Sequence, residues 1–330
     1  MGLDLPSKPK LSLSKSHRIG VFCGGTSSER VISKRSGHAV IQALKRSGYC
    51  VSELDPAKPA QVSRLVNSID IAFLTLHGAG GEDGTIQEWL EKRGKPYVGS
   101  GANSSRLAYD KIKTKRILIQ RRIPTAPFII LQRGSRWQEA LKKFGCPCFI
   151  KPPREGSSIG ILSVSILSPS TLKKIKARLQ VYGELMAERT LEGAEYTVGI
   201  LGQKALPVVE LRPKSLFYDF KAKYTSGMTD YIVPAEISVS FARKLQNIAT
   251  RTHKALGLRD LSRIDLKVDR AGNPFVLEAN SIPGFTEFSL LPKAAKACGL
   301  SFEALCCRLV SLAIRRKPLT SHRVKKVKTK

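Results

Sequence analysis

Short apolar runs alternate with longer amphipathic stretches along most of this chain. After a polar leader, Arg18-Ile19-Gly20-Val21-Phe22-Cys23 reads as a buried strand. It runs into Gly24-Gly25-Thr26-Ser27-Ser28-Glu29-Arg30 and then a helical stretch to about Gly48. Strand, glycine turn and helix N-terminus together open a Rossmann-like α/β unit. Further strands are predicted at Tyr49–Leu54, stopped by Asp55-Pro56, and at Ile69–Leu76, stopped by His77-Gly78. A helix holding Asp110-Lys111-Ile112-Lys113 follows, broken by Pro124 and Pro127. Cys148-Phe149-Ile150-Lys151, Glu195–Leu201, Arg263–Val268 and Pro274–Glu278 read as strands. The Asp269-Arg270-Ala271-Gly272 turn makes the last two a hairpin, and a closing helix is predicted from about Ser301 to Ala313. The expected fold class is mixed α/β and α+β. It comprises a leader over 1–17, a Rossmann-like domain over 18–104, two further units over 105–190 and 191–317, and a basic tail over 318–330.

Composition adjusts that picture in three ways. The chain has 330 residues, 42% of them hydrophobic, enough for two or three domains with a sizeable core. No apolar run reaches the roughly 18–20 residues of a membrane span, and Met1–His17 lacks the apolar stretch of a secretory signal, so a cytoplasmic location is expected. Seven cysteines, an odd number without zinc spacing, read as reduced thiols; Cys146-Pro147-Cys148 is the close pair weighed for redox or metal chemistry. Lysine and arginine total 56 against 26 acidic residues, a net charge of +30 that favours anionic partners such as nucleotides. The tail reads as a solvated segment, and no specific nucleic-acid binding is expected of it.

Four clusters carry candidate chemistry, and none is a Walker P-loop. In Gly24–Glu29, glycines let backbone approach a ligand and the glutamate suits a substrate ammonium; an ordinary turn with an exposed glutamate explains it equally well. The segment from His77 to Gln87 sets four glycines and two carboxylates after a buried strand, an arrangement too costly in entropy for a plain loop. Lys151-Pro-Pro-Arg154-Glu155-Gly156-Ser157-Ser158-Ile159-Gly160 offers a lysine for phosphate and a turn rich in N–H and hydroxyl donors; a flexible hairpin with a solvated lysine is the alternative. In the fourth, strand alternation puts Arg263 with Asp265, and Glu278 with Asn280. If the strands pair, Asp265, Glu278 and Asn280 form an all-oxygen set of the kind Mg²⁺ takes; a surface salt-bridge network is the competing reading. The inventory suits phosphoryl transfer from ATP to an oxyanion.

HGAGGEDGTIQ, from His77, and Leu261–Pro292, with RID, LEAN and SIPGFTEFSLLP, resemble the two signatures of the D-alanine–D-alanine ligase family. GGTSSER, YDK, KPPREGSSIG, GAEYTVGIL and FYDFKAKY agree in the same order, so the resemblance covers roughly 18–314. It implies an ATP-grasp fold behind the Rossmann-like domain and a ligase that joins two D-alanines through an acylphosphate. It further implies Lys111, Lys151 and Lys223 on the ATP phosphates, Glu188 and Leu191 near adenine, and Glu195 on ribose. Asp265, Glu278 and Asn280 would hold two Mg²⁺, with Mn²⁺ as the alternative ion. Glu29 would take the first D-alanine's ammonium, with His77 nearby, and Arg263 and the Gly284 N–H would face the oxyanion. Ser289 and Leu290 would take the second carboxylate, while Ser157 and Tyr224 link to Glu29. In this family a tyrosine at the position of Tyr224 goes with D-alanine as acceptor, and phenylalanine with D-lactate. Residues 213–229 resemble the mobile lid, and a homodimer is the expected assembly. Phe220, where the pattern has tyrosine, and Ser281, where it has threonine, depart from the family.

Overall fold

The computed structural model describes residues 16–214 and 228–316. Lys223, Tyr224, Phe220 and the basic tail, all singled out above, lie outside the described residues.

The first unit is a parallel sheet in the order β2-β1-β3-β4, from β1 (Arg18–Phe22), β2 (Cys50–Leu54), β3 (Ile71–Leu74) and β4 (Tyr97–Val98). β2 and β3 are shorter than the apolar runs that predict them. β1 is buried on both faces after its first residue, as a central parallel strand must be. Helix α1 (Arg30–Arg46) packs on it so closely that a Cβ at Gly37 would overlap Cys23. Helices α2 (Pro59–Leu65) and α3 (Thr85–Glu91) also belong to this unit, and residues of both join one core cluster with Phe22, Leu54 and Leu74.

Helices α4 (Ala102–Tyr109) and α5 (Lys111–Gln120) lead into an antiparallel sheet ordered β5-β8-β6-β7. Its strands are β5 (Phe128–Gln132), β6 (Cys148–Lys151), β7 (Leu162–Val164) and β8 (Glu184–Arg189). Helices α6 (Trp137–Phe144) and α7 (Pro169–Tyr182) cover one face, burying Trp137, Leu141, Ile175 and Leu179 against Cys148, Ile150, Leu185 and Ala187. The period of two then sends Lys151, Met186 and Glu188 to the other face.

The third sheet, β11-β10-β9-β12-β13, is antiparallel and comprises β9 (Glu195–Leu201), β10 (Lys204–Pro213), β11 (Thr229–Ile232), β12 (Leu261–Val268) and β13 (Pro274–Asn280). Helix α8 (Val239–Ala255) packs Leu245, Ile248 and Ala249 on Val198, Ile200, Ile264 and Leu266. Helices α9 (Leu290–Ala297) and α10 (Phe302–Ile314) join this sheet to the first through a shared core around Phe285, Leu291 and Leu309. Among the described residues no single helix is long and apolar enough to cross a membrane, and the apolar α9–α10 pair is bent by 103°.

His253 on α8 is fully buried, with Nδ1 2.7 Å from Ser262 Oγ and no hydrogen-bond partner for Nε2 among the described residues. Burial, and then the Lys254 charge, pushes its pKa from 6.5 down to about 4. The unfolded chain therefore binds the extra proton within that window. Stability that is complete above pH 6.5 should fall as pH drops toward 4, by on the order of 3 kcal/mol in total. Denaturant melts at pH 7 and pH 4.5 check this: the loss should shrink in His253→Gln.

Candidate active site

The hairpin β12–β13 does not follow simple alternation. Asp265 pairs with Glu278 but Leu266 pairs with Val276, so Leu277 is an extra residue in β13. Val276 and Ala279 both enter the core with Ile264 and Leu266. An unbroken strand would send Glu278 to the same face as Val276, into the apolar core. The bulge reverses the parity and puts Glu278 and Asn280 on the face of Arg263 and Asp265.

Arg263 grips Asp265 with both arms of its guanidinium, Nε to Oδ1 at 2.9 Å and the second nitrogen to Oδ2 at 2.8 Å. Thr197 Oγ1 donates to Oδ1 at 2.6 Å and Asn280 Nδ2 to Oδ2 at 3.1 Å. Lys111, at the start of α5, brings Nζ within 3.5 Å of Glu278 Oε2 and donates to Glu155 O at 2.7 Å. Among the described residues no group of three or more His, Cys, Asp or Glu gathers as a ready metal cage. Two carboxylates with one amide oxygen do fit Mg²⁺, a hard cation that keeps water and phosphate oxygens in its shell.

Glu29 stands at the N-cap position of α1, makes no side-chain capping bond and is buried. Ser157 Oγ donates to its Oε1, and the Gly156 backbone comes so close that a Cβ there would stand 2.7 Å from Oε2. Ser157 and Ser158 take φ of 49° and 63°, a left-handed turn unusual for serine that curls the loop over the carboxylate. His77 is nearly buried, with Nδ1 3.6 Å from Glu82 Oε1 and Nε2 3.4 Å from Ser36 Oγ. Ser36 Oγ accepts from the Phe285 N–H at 3.1 Å, tying helix α1 to the Gly284 loop. Ser289, at the N-cap of α9, leaves its side chain off the helix end and engages Thr286 instead. The Leu290 N–H thereby stays at a helix N-terminus, which favours a carboxylate.

These groups surround one cavity, with Glu29, His77, Arg263, Gly284, Ser289 and Leu290 in its wall. Lys111, Glu278 and Ser157 also line an adjoining recess that contains Lys151 and Ser158. Leu191 lies in the β8–β9 turn, and Glu195 pairs with Lys267 at 3.3 Å.

Two features escape sequence reasoning. Tyr109 lines the cavity beside the carboxylates, and burial, helped by Glu82 and Glu155, pushes its phenol above the usual range. Lys115 is fully buried and meets Glu188 Oε1 at 2.5 Å, while Lys151 takes the other oxygen. Burial opposes the Glu188 charge, but the Lys151 and Lys115 ammoniums outweigh it and hold its carboxyl below the ordinary range. Both oxygens of Glu188 are thus held by lysine ammoniums.

The family model described as "D-ala D-ala ligase C-terminus" matches residues 117–311, and its N-terminal counterpart matches residues 52–100. The chain is 42% identical over 308 residues to a D-alanine–D-alanine ligase of Carboxydothermus hydrogenoformans, covering 90% of this chain and 98% of the relative. It is 41% identical over 302 residues to that of Acinetobacter baylyi, covering 90% and 96%. It is also similar to the D-alanine–D-alanine ligase of Bacillus anthracis solved with ATP, at 29% identity and a TM-score of 0.80 over 91% of this chain and 98% of that one. A second structure of the Bacillus anthracis enzyme gives 32% identity and a TM-score of 0.82 over the same shares. The three sheets and the cavity between them are accordingly an ATP-grasp architecture, and the chain belongs to the D-alanine–D-alanine ligase family.

Proposed function

We propose that this chain joins two D-alanines at the expense of ATP, supplying the dipeptide for peptidoglycan precursors. One observation supports this most: a single cavity has an ammonium-type subsite at Glu29, an oxyanion-type subsite at Arg263 and Gly284, and a carboxylate-type subsite at Ser289 and Leu290. It adjoins a lysine-lined recess suited to phosphates.

In this reading Lys111 and Lys151 bind the ATP phosphates, and the sequence resemblance adds Lys223. Glu188 and Leu191 lie near the adenine, and Glu195 takes the ribose. Asp265, Glu278 and Asn280 would hold Mg²⁺, or Mn²⁺, which would supply positive charge against the phosphates. A carboxylate oxygen of the first D-alanine attacks the γ-phosphorus and ADP leaves. The Glu29 carboxylate fixes that substrate's ammonium, with His77 packed nearby. The amine of the second D-alanine, oriented by Ser289 and the Leu290 N–H, then attacks the acyl carbon. Arg263 and the Gly284 N–H stabilise the tetrahedral oxyanion, and its collapse expels phosphate. Ser157 donates to Glu29, and the sequence resemblance adds Tyr224 to that link. The reading includes a homodimer and a cytoplasmic location, the latter in keeping with ATP supply and seven unpaired cysteines.

The test is ADP release with D-alanine, L-alanine and D-lactate side by side. Release should require D-alanine and stop when EDTA removes the divalent ion. D-lactate should be a poor acceptor at neutral pH. Release independent of D-alanine would overturn the reading.

A further inference from the structure

The ammonium of Lys115 is wholly enclosed. It contacts Thr125 Oγ1 at 2.6 Å, Ala126 O at 3.2 Å and Glu188 Oε1 at 2.5 Å, and lies 5.6 Å from the centre of the Phe128 ring. It lines neither the cavity nor the recess, whereas Lys151, on the opposite oxygen of Glu188, lines the recess. Two lysines thus share one buried carboxylate, and only one of them has access to a ligand.

We infer that Lys115 is a positioning residue, the standing counter-charge of Glu188 that frees Lys151 to move to the phosphates of ATP. The inference rests on the functional reading above and goes beyond it. A carboxylate with 3% of its side chain exposed cannot be left without a cation. If Lys151 were its sole partner, reaching a phosphate would strand it, weakening nucleotide binding by about 100-fold or more. With Lys115 in place the carboxylate stays compensated, and Lys151 can exchange one anion for another. Burial favours the neutral amine, and Glu188 opposes that, so the two buried charges hold each other in place.

The same lysine ties two sheets together. Thr125 Oγ1 accepts from Lys115 and donates to Val276 O at 2.8 Å, while the Val276 N–H donates to Pro124 O at 2.9 Å. Val276 is two residues before Glu278, on the strand whose bulge exposes that carboxylate. Lys115 therefore fixes Glu188, and with it the carboxylate that Lys151 rests on, relative to the hairpin of Asp265 and Glu278.

The experiment measures Mg²⁺-dependent binding of a non-hydrolysable ATP analogue, the β,γ-imido nucleotide, by calorimetry on the full chain. Lys115→Met should weaken binding by about 100-fold, because Lys151 is then held by Glu188. Lys115→Met/Glu188→Gln, which removes the buried charge pair, should recover to within about 10-fold of the unaltered protein. A purely structural role would lower the melting temperature without this pattern. Folded Lys115→Met binding within about 3-fold of the unaltered protein, or a double variant no better than the single one, would overturn the inference. Should Lys115→Met not fold, Thr125→Val serves instead: loss of one neutral ligand should weaken binding by about 10-fold, and unchanged binding would count against the proposal. Failure of the unaltered chain to bind the analogue would overturn the functional reading, and this inference with it.

Discussion

Glu278→Ala is expected to lower D-alanine-dependent ADP release by about a thousand-fold, equivalent to some 4 kcal/mol of transition-state stabilisation. Glu278 sits on the bulged strand, lines both the cavity and the recess, and faces the Lys111 ammonium at 3.5 Å. Its side chain is about a quarter exposed (27%) and lies off the apolar core, so truncation leaves no core cavity and the melting temperature should hardly move. The loss should appear in kcat and not be rescued by excess ATP. Glu278→Asp keeps the charge but shortens its reach and should fall between the two. Turnover near that of the unaltered protein in Glu278→Ala would remove the carboxylate from the proposed ion site.

Arg263→Lys is expected to cost about 10²-fold in kcat, and Arg263→Ala about 10³-fold, as loss of an oxyanion donor does. Lysine retains the charge but not the planar fork that holds both oxygens of Asp265. Alanine also leaves Asp265, 13% exposed at its side chain, with Thr197 and Asn280 as its hydrogen-bonding side chains among the described residues, so some stability should be lost as well. Reading kcat against both KM values separates these effects. A donor acting only on the developing oxyanion lowers kcat and leaves KM for ATP within a few-fold. An unchanged kcat in Arg263→Lys would contradict the assigned role.

Much of this was legible because local chemistry and local geometry agree. The Gly24–Arg30 turn follows β1, buried from Ile19 on, and precedes a helix, and the turn puts Glu29 at the helix start. The hairpin of β12 and β13 could be read from its turn, and Arg263 does share a face with Asp265. What stayed hidden depends on distant neighbours. The bulge at Leu277 leaves no compositional mark, yet without it simple alternation would send Glu278 to the side of Val276. Lys115 stands in a run with Lys111 and Lys113 and looks equally solvent-bound; only the approach of Thr125 and Glu188, 10 and 73 residues further on, encloses it. His253 is a similar case, a helical histidine that looks solvent-facing until α8 packs on the third sheet and encloses it. The stop of β3 at Leu74, two residues before the apolar run ends, follows from pairing with β1, whose last paired residue is Phe22.

The central claim is that a bound amino acid's carboxylate is phosphorylated before an amine displaces the phosphate. Running the reaction with D-alanine labelled with ¹⁸O in its carboxylate, in unlabelled water, tests it directly by mass spectrometry of the released phosphate. One ¹⁸O should pass into each phosphate, alongside D-alanyl-D-alanine in equal amount. Phosphate that carries oxygen only from ATP and water would contradict the account.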